Sequence, residues 1–287
     1  METSVDRSSP NQPKYSKRYY NDVALRLGHK LYGLEYLHYG YFKDIPVTVL
    51  DLPRAQKAYV DLLLSKIPQG VKDVLDVGCG TGGIARELVN RGYNVTCVDP
   101  DPYMIEQATK KTGGKIGSRV GKYEEVHSLP QSSFDLVMMP ESCQYINKEL
   151  GWPQNAKHLR AHGHVLIADF FKIKRLDQPW LSKSGHEFDE FVAEAKKNGF
   201  ELVDKMDITN EVAPTMDLYQ AEILNKVFPI AEAAIEVFSR RFNIGYKVAS
   251  YFLRDKVLHL KKKYENQDSG TFSKYKGYFI LLFKRVH

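Results

Sequence analysis

The stretch "VLDVGCGTGG", residues 74–83, constrains the fold more than any other part of the chain. It ends an apolar run, "DVLDV", and opens a helical pattern, "GGIARELVNRG", that Gly92 closes. A second apolar run, "NVTCVD", follows and stops at Asp99. Strand, glycine loop, helix, strand is a β-α-β unit, and strands that are apolar on both faces belong to a parallel sheet. The rhythm continues: "PYMIEQATKK" reads as helix, "FDLVMM" (134–139) and "HVLIADFF" (164–171) as short strands, "HEFDEFVAEAKKNGF" as helix and "ELVDKMDIT" as strand. Upstream, Pro53–Ile67 has a proline at its first turn and an apolar stripe at helical spacing, so it too reads as helix. Strands alternating with helices predict an α/β, doubly wound, mostly parallel sheet.

Two segments break the rhythm. From Tyr15 to Phe42 the chain is crowded with tyrosine, and this reads as a helical cap. From Thr215 to Tyr264 apolar residues recur at helical spacing (Leu218, Ile223, Val227, Phe228, Ala231, Ile235), which reads as one or two helices inserted before a last strand, "GYFILLFKR". The expected division is a polar tail (1–14), an N-terminal helical cap (15–69), a ligand-binding core (70–214), a helical insert roofing the site (215–268) and the final strand (269–287).

The glycine loop admits two ligands. Gly78, Gly80 and Gly83 fit G-x-G-x-x-G, which brings bare backbone up to a dinucleotide pyrophosphate. Asp76 argues against that, because a carboxylate two residues before the first glycine repels phosphate. It suits a ligand that carries an ammonium and a sulfonium. Asp99, at the tip of the next strand, is placed to accept hydrogen bonds from ribose hydroxyls. Together they favour S-adenosylmethionine over NAD.

"VLDVGCGTGG", "VTCVDPDPYMIEQA", "FDLVMMPESCQYI" and "AHGHVLIADFF" resemble four successive motifs of class I S-adenosylmethionine-dependent methyltransferases, in order and spacing, over roughly residues 70–175. "YLHYGYF" and "GFELVDKMDIT" are similar to a narrower small-molecule group that includes tocopherol, sarcosine/dimethylglycine and natural-product sugar O-methyltransferases. The resemblance implies a Rossmann-like sheet of seven strands. It implies Gly78 and Gly80 against the methionine part of the cofactor, Asp76 near its amino group, Asp99 on the ribose and Met104 on the adenine. Tyr123 and Glu124 are the candidates for the adenine edge, and members usually carry an acid where this chain has Lys122. Pro140 would begin the loop facing the reacting sulfur. His38, Tyr39 and Tyr41 match the segment that closes over the cofactor, and Tyr39 is taken as a cofactor contact.

Methyl transfer is an in-line displacement whose reactive group the cofactor supplies, so the protein mainly aligns and encloses. An oxygen nucleophile also needs a base, worth about 10²–10⁴-fold. Sugar O-methyltransferases of this kind often have a histidine pair where this chain has Gln144 and Tyr145. Asp169 in "LIADFF" is retained and is expected to face the cleft. Gln144, Tyr145 and Asp169 are therefore the catalytic candidates; His38, His158, His162 and His164 are further bases, the last three read as surface turn positions. The acceptor reads as a small organic molecule, bulky and partly hydrophobic, with O-methylation slightly ahead of N-methylation; an N- or C-methyltransferase acting on an amine or a lipid- or quinone-like acceptor is the alternative.

Composition trims the rivals. At 43% hydrophobic and 26% charged, 287 residues bury a real core. Three cysteines (Cys79, Cys97, Cys143) without a C-x-x-C pair fit a reduced, cytoplasmic protein. The longest apolar run, "YFILLF", is too short to span a bilayer. No acidic or His/Cys cluster has metal-ligand spacing, so no metal is expected. From Arg240 onward twelve Lys or Arg face three acids, within a net charge of +6. A nucleic-acid methyltransferase would use such a tail, but "PESCQYI" lacks the N/D-P-P-Y/F loop that receives an extruded base. A cofactor-binding protein without catalysis is the other rival. The insert's apolar stripe fits an acceptor roof, a homodimer surface or plain core packing alike.

Overall fold

The computed structural model describes residues 32–174, 184–241 and 267–286, with Leu258, Lys261, Lys262, Tyr264 and Glu265 besides. The tail, Tyr15, Tyr19 and Tyr20 of the cap, and the later part of the insert lie outside the described residues.

In chain order the elements are α1 (Leu52–Ser65), β1 (Asp73–Val77), α2 (Gly83–Asn90), β2 (Asn94–Asp99), α3 (Pro102–Lys111), β3 (Ile116–Val120), β4 (Phe134–Pro140), α4 (Lys148–His158), β5 (Leu159–Lys172), α5 (Phe188–Lys197), β6 (Phe200–Asp207), α6 (Thr209–Val212), α7 (Pro214–Glu222), α8 (Phe228–Arg241), α9 (Ser269–Tyr275) and β7 (Lys276–Arg285). The seven strands form one sheet in the order β3-β2-β1-β4-β5-β7-β6. β1, β2, β3, β4 and β5 pair in parallel, and β7 runs antiparallel between β5 and β6. This is the expected doubly wound, mostly parallel sheet with its last strand inserted. The order reverses between β1 and β4, so the carboxyl ends of β1, β2 and β4 open a crevice where such sheets take ligands.

Local chemistry sets these elements. Asp101 caps α3, its carboxylate accepting the Tyr103 N–H at 3.0 Å, with Pro102 at the first turn. β1, β4 and the Val165–Phe171 stretch of β5 are buried almost throughout, whereas β6 at the sheet edge, after buried Phe200, alternates exposed and half-buried positions. Two apolar layers sandwich the sheet. Tyr59, Leu63, Leu88, Cys97 and Tyr278 belong to one; Trp152, Phe171, Phe200 and Phe283 belong to the other.

Three expectations change. Over residues 33–51 the described part of the cap has no helix; only Tyr32 is helical there. Gly33 at φ 61 turns the chain, and an irregular strap runs over the sheet's carboxyl edge before α1. Residues 269–275 form helix α9, so the final strand begins at Lys276. β5 begins at Leu159, which puts "AHGH" within a strand, although Ala161 and His162 are exposed where the pairing with β4 is interrupted and His162 has φ 60. His158 is fully buried, its Nδ1 2.8 Å from the Pro130 carbonyl and its Nε2 3.0 Å from Gln154 Oε1. It is a satisfied core histidine, remote in role from any base.

Among the described residues no helix is long and apolar enough to cross a membrane, and no group of three His, Cys, Asp or Glu could hold a metal ion.

Candidate active site

The glycine loop leaves β1 through three left-handed glycines, Gly78 (φ 73), Gly80 (φ 53) and Gly82 (φ 77). Gly78 is irreplaceable on space as well as conformation: a Cβ there would sit 2.4 Å from Ser142 Cβ. The Gly78 N–H donates to the Val98 carbonyl at 2.7 Å, and the Gly80 N–H donates to Asp99 Oδ2 at 3.1 Å. The Asp101 N–H holds the other Asp99 oxygen at 2.9 Å. Loop and β2 tip are thereby fixed to each other.

A pocket of about 470 Å³ opens beside this loop. Asp76, Gly78, Gly80, Asp99, Met104, Tyr123, Glu124, Pro140 and Tyr145 line it, which brings together nine of the twelve residues singled out by sequence. Tyr39, Gln144 and Asp169 are not among its walls. Tyr36, Leu37, His38, Glu141 and Ser142 are, and of these sequence reasoning noted only His38. Within the pocket wall, the Tyr123 hydroxyl donates to Asn155 Oδ1 at 2.9 Å, and Glu124 Oε1 accepts the Asn147 N–H at 2.9 Å. Lys122, where an acid was expected, pairs with Glu125 on the surface.

Asp76 is the electrostatic anomaly. It is buried, and neither carboxylate oxygen has a hydrogen-bond partner within the protein. Burial, and then the neighbouring Asp99, push its carboxyl up to about 7. A buried carboxylate without donors is costly unless a cation or a proton neutralises it. The site therefore fits a ligand that brings an ammonium to this wall, and it disfavours a diphosphate.

The strap supplies the opposite wall, and its backbone is satisfied by core groups instead of by a helix. Gln56 Nε2 donates to the Tyr36 and His38 carbonyls, Glu141 Oε1 accepts the Tyr39 N–H at 2.9 Å, and Thr215 Oγ1 accepts the Gly40 N–H at 3.0 Å. The Tyr41 and Phe42 N–H groups go to the Ala55 and Glu211 carbonyls. The Tyr39 ring packs against Phe272 and Tyr278 rather than into the pocket.

Neither proposed acid–base group sits as a sequence reading expects. Asp169 is fully buried, and four donors converge on it: the N–H and Nε2 of Gln144 (3.1 and 3.2 Å), Cys143 Sγ (3.3 Å) and the Phe170 N–H (2.9 Å). Burial raises its carboxyl to about 7 against those donors. It pins the loop after β4 rather than facing the cleft, and Gln144 is the residue it pins. His38 stacks on Tyr59 with centroids 4.4 Å apart, and its Nδ1 lies 2.8 Å from the Tyr39 carbonyl. Burial drives its imidazole down to about 4. Because that value lies below the unfolded one, the neutral ring destabilises the fold only as pH falls from about 6.5 towards 4. His38 is expected to show no titration between pH 5 and 8 in ¹⁵N-detected imidazole spectra; a midpoint near 6.5 would contradict this burial.

Tyr145, more than half exposed, stands at the pocket mouth. The described part of the insert, α7, the π-helical turn Ile223–Val227 and α8, does not line the pocket. It packs on the strap instead, with Leu218 and Tyr219 against Leu34, Phe42 and Leu52, and the Tyr32 hydroxyl donating to Glu222.

Residues 74–163 match the methyltransferase domain family. A ubiquinone biosynthesis O-methyltransferase of Rickettsia conorii is 29% identical over 134 residues, 42% of this chain and 46% of that protein. A 2-methyl-6-phytyl-1,4-hydroquinone methyltransferase of a Synechocystis species is 28% identical over 147 residues, 48% of this chain and 46% of that protein. The chain thus spans about half the length of these curated relatives. Over the whole fold, the geranyl diphosphate C-methyltransferase of Streptomyces coelicolor, solved with S-adenosyl-L-homocysteine, superposes with a TM-score of 0.66 at 16% identity, covering 94% of this chain and 96% of that one. Motifs, matched domain and sheet agree: residues 74–163 carry a methyltransferase domain, set in a seven-stranded sheet of the class I type. S-adenosylmethionine is the cofactor of that class.

Proposed function

We propose that the protein transfers a methyl group from S-adenosylmethionine to a small, partly apolar organic acceptor. The observation that carries this reading is the buried, donor-less Asp76 on the wall of a pocket framed by the glycine loop and Asp99. When bound, the cofactor supplies an electrophilic methyl group on a sulfonium, so the chain's task is to hold, orient and exclude water. Asp76 would hold the ammonium, Asp99 the ribose hydroxyls, and Met104, Tyr123 and Glu124 the adenine side. Pro140 and Tyr145 would frame the reacting end. Asp169 acts indirectly, by holding Gln144 and Cys143 where the loop after β4 borders the pocket.

With His38 held neutral and Asp169 occupied by four donors, an unactivated alcohol is a poor acceptor here. O-methylation keeps its slight lead for acceptors that ionise readily, phenol or quinol hydroxyls, and one relative is named as an O-methyltransferase of ubiquinone biosynthesis. N- or C-methylation is the second reading, favoured by the structural neighbour named as a C-methyltransferase.

Isothermal titration with S-adenosylhomocysteine and with NAD tests the first step, and transfer of labelled methyl to a panel of quinols, phenols, amines and prenyl compounds tests the second. Binding of S-adenosylhomocysteine in the micromolar range, with NAD silent, is the expected result. Uptake of NAD alone would overturn the reading.

A further inference from the structure

Glu141 is one of four described non-glycine residues with positive φ, at 53°. It follows directly on Pro140, the last residue of β4, and it lines the pocket. Left-handed backbone costs free energy at a side chain of this kind, so the surroundings must hold it there. They do so from both ends. The Glu141 N–H donates to the Ala168 carbonyl at 2.7 Å, and its Oε1 accepts both the Tyr39 N–H at 2.9 Å and the Tyr278 hydroxyl at 2.7 Å. Tyr278 shares a hydrogen bond of 2.9 Å with the Tyr59 hydroxyl, and Tyr59 is the ring on which His38 stacks.

Glu141 thus joins three separate parts of the fold: its Oε1 holds the strap through Tyr39 and β7 through Tyr278, and its backbone N–H holds the β4–β5 edge. The strap lies on the glycine loop at close quarters. A Cβ on Gly83 would meet the Tyr36 ring at 2.6 Å, and one on Gly80 would meet Leu37 Cδ1 at 3.3 Å. Tyr36, Leu37 and His38 wall the same pocket as Glu141. The strap is thus one wall of the space a ligand would occupy.

We propose that Glu141 is a positioning residue that latches the strap over the bound methyl donor, so that donor release passes through opening of the Tyr39–Glu141 hydrogen bond. This rests on the methyl-donor reading above. An N–H group bonded to a partly buried carboxylate is held more firmly than one bonded to a neutral carbonyl, and loops that gate ligands are governed by a few such contacts. Glutamine keeps an acceptor oxygen at this position; alanine removes it.

The test follows dissociation of S-adenosylhomocysteine from the full chain by stopped-flow displacement, together with hydrogen exchange over the strap. Glu141→Ala is expected to release the ligand about ten-fold faster or more, and Glu141→Gln to stay within about three-fold of the wild type. In the wild type, backbone amides of residues 36–42 are expected to exchange more slowly with ligand bound than without. Unchanged release from Glu141→Ala would overturn the latch. If that variant does not fold, the wild type decides: strap amides that exchange as fast with ligand as without overturn the latch equally. Tight binding with unaltered release sinks the latch alone, whereas a wild type that binds no S-adenosylhomocysteine sinks the methyl-donor reading beneath it.

Discussion

Replacing Asp76 by asparagine is expected to weaken S-adenosylhomocysteine binding by about 100-fold and, at the same time, to raise the unfolding temperature of the ligand-free protein at pH 7.5. Both effects come from one unpaired buried carboxylate. Loss of charge-assisted contacts to an ammonium costs about 2–3 kcal/mol, and each 1.4 kcal/mol is ten-fold in affinity. In the free protein, the Asp76 carboxyl is pushed from 3.8 up to about 7. Between those values the native state binds a proton that the unfolded chain has released, so stability falls as pH rises from about 4 to about 7 and stays reduced above it. A shift of that size corresponds to at most about 4 kcal/mol. The variant escapes this loss, so the gap in unfolding temperature should be wide at pH 7.5 and close near pH 4. Wild-type affinity should rise between pH 5.5 and 7 as the carboxylate ionises, by about 15-fold, while the variant's affinity stays flat over that interval. Calorimetric titration and thermal unfolding across pH read both effects. A variant that binds as tightly as the wild type would remove the electrostatic basis for the cofactor assignment.

What was legible in the sequence was whatever a single segment decides for itself. "NVTCVD" is a strand because its apolar run has the length of one, and "PYMIEQATKK" is a helix because Asp101 and Pro102 start it; both elements begin and end where the pattern says. Asp76, Asp99 and the glycines were legible for the same reason, since strand, loop and ligand-facing residues lie within 26 consecutive positions. The strap was not. Its tyrosines suggest amphipathic helix, but its backbone partners are Gln56, Glu141, Thr215 and Glu211, as much as 175 residues away, and no local pattern announces them. Helix α4 hid behind Gly151 and Pro153, which sit within it. Asp169 shows the limit most clearly. Its identity was readable as an acid within an apolar strand, yet its work depends on four donors, three of which reach it from a loop about 25 residues earlier. Glu141 was unreadable because its distinguishing property is a backbone angle, and "PES" carries no glycine to signal it.

Gly78→Ala is expected to abolish measurable cofactor binding and to lower the stability of the fold by about 2–4 kcal/mol, whereas Gly92→Ala is expected to cost about 1 kcal/mol and leave binding intact. Both glycines are left-handed, Gly78 at φ 73 and Gly92 at φ 88, so each substitution incurs the same conformational cost of about 1–2 kcal/mol at most. They differ in what lies beyond the backbone. Nothing stands within 4 Å of a Cβ on Gly92. A Cβ on Gly78 would overlap Ser142 at 2.4 Å from its Cβ and 3.1 Å from its Oγ. Ser142 cannot retreat cheaply, because its hydroxyl donates to the Val77 carbonyl at 2.6 Å and the next two residues are tied to Asp169. The strain must therefore part the glycine loop from the loop after β4, and those two loops are the walls between which a donor's methionine end would lie. Chemical denaturation of the two variants reads the stability difference, and titration with S-adenosylhomocysteine reads the site. Equal affinities for Gly78→Ala and Gly92→Ala would mean that the approach of Ser142 to the glycine loop does not shape the pocket.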